Sequence, residues 1–149
     1  MALLLLAAAA PSALAADPAW PTMQKAGMTG TWAANCTAPA HPDNPYDTFY
    51  GDAAGKAGYR SNRGADGIAN VTILEARVLT ATTIFVRLKY DDPKFGQSNG
   101  LVVDAVREIS GRKMRPLKST VVSTGKVLVD NGKLTSNNHP SPVYERCGD

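Results

Sequence analysis

The sequence is poor in the residues that build metal and acid–base sites. It has 2 cysteines and 2 histidines in 149 residues, and it contains no Cys-x-x-Cys pair or Cys/His cluster of the kind that binds zinc. The nearest set, His41, Asp43 and Asp47, is typical of an ordinary loop. No carboxylates are paired convincingly for acid–base catalysis. We therefore expect no metal, no cofactor and no enzymatic activity.

Long apolar runs and dense positive charge are also lacking. After residue 15 no segment has the roughly 20 apolar residues that a membrane-spanning helix requires. The formal net charge is only +3, whereas nucleic-acid binding favours denser charge with interleaved aromatic residues. No aromatic residue lies among the late basic cluster of Arg107, Arg112, Lys113, Arg115, Lys118 and Lys126. We expect neither a membrane span nor a nucleic-acid partner.

The N-terminus carries a short apolar segment. Residues 3–10 are apolar, and Ala13-Leu14-Ala15 supplies the small-x-small triplet that precedes signal cleavage. No basic residue precedes the run, so the true start of this segment stays open. We expect a signal peptide over residues 1–15, a single domain over residues 16–149, and a periplasmic or secreted location.

The two cysteines lie near the two ends of that domain. Cys36 follows the first predicted strand and Cys147 belongs to the last. In an oxidising compartment an isolated pair usually forms a disulfide. We predict a Cys36–Cys147 bond, with two free buried thiols as the alternative. The bond implies that the first and last strands meet.

The rest of the chain has the pattern of short strands separated by turns. Residues 83–90 alternate cleanly, with one apolar face formed by Ile84, Val86, Leu88 and Tyr90. Asn131-Gly132 predicts a two-residue hairpin turn, and Pro116 predicts an edge or a bulge. About eight or nine strands without a long helix predict an all-β fold. We expect a small antiparallel up-and-down barrel of about eight strands, with a sandwich as the alternative.

One motif matches a catalytic signature. Residues 96–100 read Gly-Gln-Ser-Asn-Gly, the GxSxG pattern that exposes a nucleophilic serine between a strand and a helix. Here a strand follows, and only His41 and His139 are available as a base. The same residue types also favour turns. A serine hydrolase that uses Ser98 is therefore a remote alternative.

The first predicted strand carries Gly30-x-Trp32, which resembles the GxW signature of lipocalin-like (calycin) barrels. The chain is also similar to small bacterial exported proteins of no assigned activity that begin GTWA…C and end near Arg-Cys. In the lipocalin-like family the tryptophan plugs the closed end, and a basic residue of the last strand packs over its indole. The resemblance implies these structural roles for Trp32 and Arg146.

A barrel of this kind suggests a function. We hypothesise an exported, non-enzymatic protein that holds a small, partly apolar ligand in the barrel mouth. The candidate ligand-binding residues are aromatic or basic: Tyr50, Tyr59, Phe85, Arg87, Tyr90 and Arg107. The alternative is a protein–protein module, such as an enzyme inhibitor or an envelope accessory protein, that uses loops 41–47 or 91–100. The ligand, the partner and the oligomeric state do not follow from the sequence.

Overall fold

The computed structural model describes residues 18–91 and 100–148. The expected leader and Ser98 lie outside these ranges. The described residues form helix α1 (Ala19–Lys25) and strands β1 (Gly30–Ala33), β2 (Tyr46–Gly51), β3 (Ala57–Asn62), β4 (Ile68–Val78), β5 (Thr83–Tyr90), β6 (Leu101–Ser110), β7 (Lys113–Val121), β8 (Val127–Asp130), β9 (Lys133–Leu134) and β10 (Tyr144–Cys147). No helix in these ranges has the length and apolarity to span a membrane.

The strands form one antiparallel sheet that closes on itself. From β1 to β9 each strand pairs with the next strand along the chain, while β10 pairs with both β1 and β7. The ring of β10 and β1 to β7 is therefore an eight-stranded barrel. The predicted all-β fold and the up-and-down barrel of about eight strands are confirmed.

Two partners share one edge of β7. Strand β10 pairs with Lys113 and Met114 at its beginning, whereas β8 pairs with Ser119 and Thr120 at its end. The β8–β9 hairpin thus extends the wall beyond the short closing strand. Its turn contains Asn131-Gly132, with φ of 48° and 71°, as the predicted hairpin requires.

The disulfide lies beside the closing seam. Cys36 and Cys147 are bonded across 111 residues, and Cys147 faces Thr31 in the β1–β10 register. The bond therefore ties the segment after β1 to the last strand. The predicted disulfide is confirmed.

Alternation along each strand separates the interior from the outer surface. The interior contains Trp32, Phe49, Tyr59, Val71 and further buried apolar side chains of β4 to β7, including Ile73, Val86, Leu88, Ala105, Ile109 and Met114. A bulge interrupts the β6–β7 ladder, because Val106 faces Lys118 while Arg107 faces Pro116. The proline therefore occupies a bulge, one of the two settings that its missing N–H allows.

Helix α1 covers one end of the barrel, which we call the closed end. The β2–β3, β4–β5 and β6–β7 turns lie there. The backbone N–H of Trp20 donates to the Gly55 carbonyl oxygen at 3.1 Å, and Met23 is fully buried. A Cβ at Gly51 would lie 2.0 Å from Trp20 Cγ, so only glycine permits this close packing. We call the opposite end, at which β5 and β7 end and β6 and β8 begin, the open end.

Candidate ligand cavity

A cavity of about 260 Å³ lies in the wall formed by β5 to β8. Alternation turns every second residue of β6 into it, from Leu101 near the open end to Arg107 deeper in the barrel. Leu101 and Arg107 lie about 20 Å apart along the strand at the usual rise per residue. The described lining consists of Leu88, Tyr90, Leu101, Val103, Ala105, Arg107, Ser119, Leu128 and Val129. Most of this surface is apolar.

A bulge in β8 adds to the lining. Val129 faces Ser119 and Val127 faces Thr120, so Leu128 is an extra residue between two paired positions. A bulge of this kind re-aims a side chain. Consequently both Leu128 and Val129 line the cavity, although strict alternation would place them on opposite faces.

Arg107 is the charged residue of the described lining. It is 8% exposed. Its Nη1 donates to Met114 Sδ at 3.8 Å, and its guanidinium carbon lies 5.9 Å from the centre of the Phe49 ring. Among the described residues its Nε has no hydrogen-bond partner. Burial of a charged donor without a good acceptor is costly. The guanidinium group therefore keeps the capacity to donate to a further acceptor.

Two tyrosines connect the cavity with the opposite wall. Tyr59 Oη donates to Tyr90 Oη at 3.3 Å, and the Tyr59 ring centre lies 5.0 Å from that of Phe49. Burial raises the pKa of Tyr59 well above 10.0, and burial also raises the pKa of Tyr144. Both phenols therefore stay neutral near neutral pH.

A carboxyl group with one buried oxygen completes the polar part of the interior. Asp47 faces Trp32 in the β1–β2 register and Ser61 in the β2–β3 register. Burial raises the pKa of Asp47 above its ordinary value of 3.8, although a hydrogen bond with Ser61 and attraction to Arg107 oppose that rise. Within the described ranges Asp47 Oδ1 has no hydrogen-bond partner.

The loop set His41, Asp43 and Asp47 does not converge on one point. His41 Nδ1 lies 3.6 Å from Asp43 Oδ2 at the exposed surface, while Asp47 lies in the barrel wall with Oδ1 buried. The part of the chain that the structure describes contains no group of three or more potential metal-ligating side chains.

Of the predicted ligand-binding residues, Tyr59, Tyr90 and Arg107 lie in the interior, whereas three lie on the outer face. Tyr50 is 43% exposed and lies across Gly58, whose Cβ would be 2.8 Å from Tyr50 Oη. Tyr50 is therefore not part of the described lining of the cavity. The physical reason is strand alternation, because Phe49 occupies the inward position next to it.

Phe85 and Arg87 also lie on the outer face of the barrel. Val86 and Leu88 point inward, so Phe85 and Arg87 point outward. Arg87 donates to both carboxylate oxygens of Asp104, at 2.6 and 2.8 Å. The guanidinium carbon of Arg77 lies 4.5 Å from the centre of the Phe85 ring. Neither residue lines the cavity.

The structure places Trp32 and Arg146 together at the closed end. The Arg146 guanidinium carbon lies 4.9 Å from the centre of the indole ring, and Arg146 Nη2 donates to the Gly27 carbonyl oxygen. Trp32 Nε1 donates to the Thr29 carbonyl oxygen at 2.8 Å. A basic residue of the last strand thus packs over the indole of the first strand.

Sequence reasoning missed most of the cavity wall and the buried carboxyl group. Val103 and Ala105 share the inward face of β6 with Arg107, so the period-two pattern carried their signal. Asp47 lies two residues before the inward-facing Phe49 and carried the same signal. Leu128 had none, because its orientation depends on a bulge in the pairing with β7.

Two other depressions are weaker candidates. A cleft of about 170 Å³ lies between α1 and the β4–β5 turn, and much of its lining is the exposed segment Thr80–Thr82. A depression of about 380 Å³ lies over the disulfide, where Arg112, Lys113 and Glu145 are exposed. Neither combines buried apolar walls with a buried charged group.

The chain matches no protein-family model, and no curated protein or solved structure gives a significant match. Any functional inference must therefore start from the geometry of the interior.

Proposed function

We propose that this chain is an exported, non-enzymatic binding protein that holds a small, partly apolar ligand in the cavity of about 260 Å³. The observation that carries the proposal is the mainly apolar lining, interrupted by a few polar groups of which Arg107 is buried. Ligand sites typically combine apolar walls with a small number of polar groups that orient the ligand.

The volume limits the size of the ligand. A dry cavity of about 150 Å³ holds benzene, and sites for drug-sized ligands begin at about 300 Å³. The ligand is accordingly a small metabolite or a short-chain amphiphile. Leu128 lines the cavity, and the neighbouring Val122 and Val127 are also exposed apolar residues, so an apolar ligand meets a compatible rim.

Two further features support the proposal. The Cys36–Cys147 disulfide is compatible with the oxidising periplasm or extracellular space. The packing of Arg146 over Trp32 accords with a lipocalin-like barrel, an architecture that encloses small ligands. We therefore favour a ligand carrier over a protein–protein module.

Filling the cavity tests the proposal. Ala105 is buried in the lining, so Ala105→Phe should occupy the space that the ligand uses. Its matched control is Val106→Phe, the outward-facing neighbour on the same strand. Isothermal titration with 1-octanol should show binding to the wild type and to the control, and at least a tenfold loss in Ala105→Phe.

A milder variant covers the case in which Ala105→Phe fails to fold. Leu128 is 36% exposed at the mouth, so Leu128→Trp should obstruct entry with little strain in the core. Equal octanol binding in all folded variants would place the ligand elsewhere. If the wild type binds no octanol, and native mass spectrometry finds no co-purified small molecule, the proposal fails.

A further inference from the structure

We infer that the cavity selects ligands that carry a carboxylate, which binds the guanidinium group of Arg107 while the apolar remainder extends towards the open end. This inference rests on the ligand-binding function proposed above and specifies the chemical class of the ligand. Three features of Arg107 support it: the side chain is buried, its hydrogen-bond acceptor is weak, and it lines the cavity.

The protein gives Arg107 weak partners for a buried cation. A thioether sulfur accepts from Nη1 at 3.8 Å, and the Phe49 ring lies at 5.9 Å. A thioether is only a weak acceptor. In the described part of the chain Nε has no hydrogen-bond partner. A carboxylate accepts two parallel N–H bonds from a guanidinium group, with geometry and charge that neither Met114 nor Phe49 provides.

Asp47 is the internal competitor for this role. It attracts Arg107 electrostatically, yet its Oδ1 forms no hydrogen bond within the described residues. An Asp47 carboxylate in bidentate contact with Arg107 would have both oxygens satisfied. The pair therefore leaves hydrogen-bonding capacity on the arginine that an incoming acid can use.

The position of Arg107 sets the orientation of the ligand. Along β6 the lining runs from Leu101 through Val103 and Ala105 to Arg107, so the charge lies deep and the apolar walls lie between it and the open end. A linear chain with one terminal acid group matches this order. An amine of the same length would place its ammonium group beside the guanidinium, and like charges in a buried site strongly disfavour binding.

Three probes of equal chain length separate the possibilities. Isothermal titration near neutral pH would use octanoate, 1-octanol and octylammonium with the intact protein. Octanoate should bind the wild type about 10- to 100-fold more tightly than octanol, which is the range expected for a charged hydrogen-bonded contact. Octylammonium should bind most weakly.

Arg107→Met should abolish the preference. Octanoate should fall to the affinity of octanol or below it, because its carboxylate loses its cationic partner. Octanol itself should bind as before, because methionine keeps the wall apolar. Arg87→Met is the matched control, because Arg87 lies on the outer face with Asp104, and it should keep the full preference for octanoate. Arg107→Lys, which keeps the charge but loses the two-pronged geometry, should retain part of it.

The outcomes distinguish this inference from the function beneath it. If octanol and octanoate bind the wild type equally, the acid selectivity is wrong and cavity binding stands. If no probe binds, the acid selectivity is wrong, and the binding function fails with it when native mass spectrometry also finds no co-purified small molecule. If Arg107→Met does not fold, the wild-type ranking of the three probes and the Arg107→Lys variant still decide. Undiminished octanoate preference in a folded Arg107→Met would also overturn the inference.

Discussion

The two ends of the barrel differ in the contacts of an arginine side chain, partly buried at the closed end and buried in the cavity. At the closed end Arg146 packs over Trp32 at 4.9 Å and donates to a backbone carbonyl oxygen of the segment after α1. In the cavity that leads to the open end, Arg107 contacts a thioether and the more distant ring of Phe49. Among the described residues the Nε of each arginine lacks a hydrogen-bond partner. The two differ in their other contacts, because Arg146 has a carbonyl acceptor and a close aromatic ring, whereas the acceptor of Arg107 is a thioether.

This difference is the basis for proposing that ligand binding takes place in the cavity. At the closed end the disulfide, the indole and helix α1 converge, and apolar packing covers the interior. In the cavity a buried polar group lacks a good partner, which folded proteins usually avoid. A local departure from good hydrogen bonding is expected at functional sites. The comparison predicts that changes at the closed end affect stability, and that changes in the cavity affect binding.

Removing the disulfide should give the largest effect. The bond closes a loop across 111 residues, and the chain-entropy model assigns about 4–5 kcal/mol to a loop of that length. Cys36→Ser combined with Cys147→Ser should lower the free energy of unfolding by about that amount in urea titrations. Reduction of the wild type with dithiothreitol serves as the control and should produce the same loss. A folded double variant that no longer binds octanol would break the proposed separation between the two ends.

The two arginines allow a direct test of the comparison. Arg146→Met should cost about 2 kcal/mol, because it removes a partly buried cation–π contact and a charged hydrogen bond to Gly27. Arg107→Met should cost less than Arg146→Met, because the hydrogen-bond acceptor of Arg107 is only a thioether and its aromatic contact is more distant. Urea unfolding of both variants measures the difference. Equal losses would show that Arg107 is as structural as Arg146.

Much of the fold could be predicted from the sequence because its signals are local. Alternation in residues 83–90 predicted which side chains of β5 point inward. Asn131-Gly132 predicted the turn between β8 and β9. The disulfide followed from two cysteines and the expectation of export, and it predicted that the first and last strands meet. Each inference needed only neighbouring residues or a single pair.

The cavity was harder to predict because residue type does not reveal which face a side chain occupies. Phe85 and Tyr50 are aromatic, yet both lie on the outer face. Arg77 packs over Phe85, and Tyr50 lies across Gly58. Asp47 belongs to a residue type that is rarely buried, and its neighbours Ser61 and Arg107 come from strands distant in sequence. Such contacts depend on register, which local patterns do not determine.

Asp47 gives the smallest effect and the most specific one, because its sign depends on pH. Its pKa is raised in the folded protein, chiefly by burial, above the ordinary value of 3.8. The folded state thus binds the proton more tightly than the unfolded state does. The stability that this provides is fully present below pH 3.8 and is lost as the pH rises through the folded pKa. Near neutral pH the group is therefore a net cost.

Asp47→Asn should therefore stabilise the protein near neutral pH by about 1 kcal/mol, the lower range for an unsatisfied buried group. The gain should shrink as the pH falls towards 3.8. Asp104→Asn is the opposite control, since its hydrogen bonds with Arg87 hold the pKa of Asp104 below its ordinary value. That variant should destabilise near neutral pH, with a loss that also fades on acidification. Urea midpoints at a series of pH values measure both. Neither substitution changes Ser61, Arg107 or Arg63, the three residues that lower the pKa of Asp47. Two curves of the same sign would therefore show that burial does not govern the pKa of Asp47.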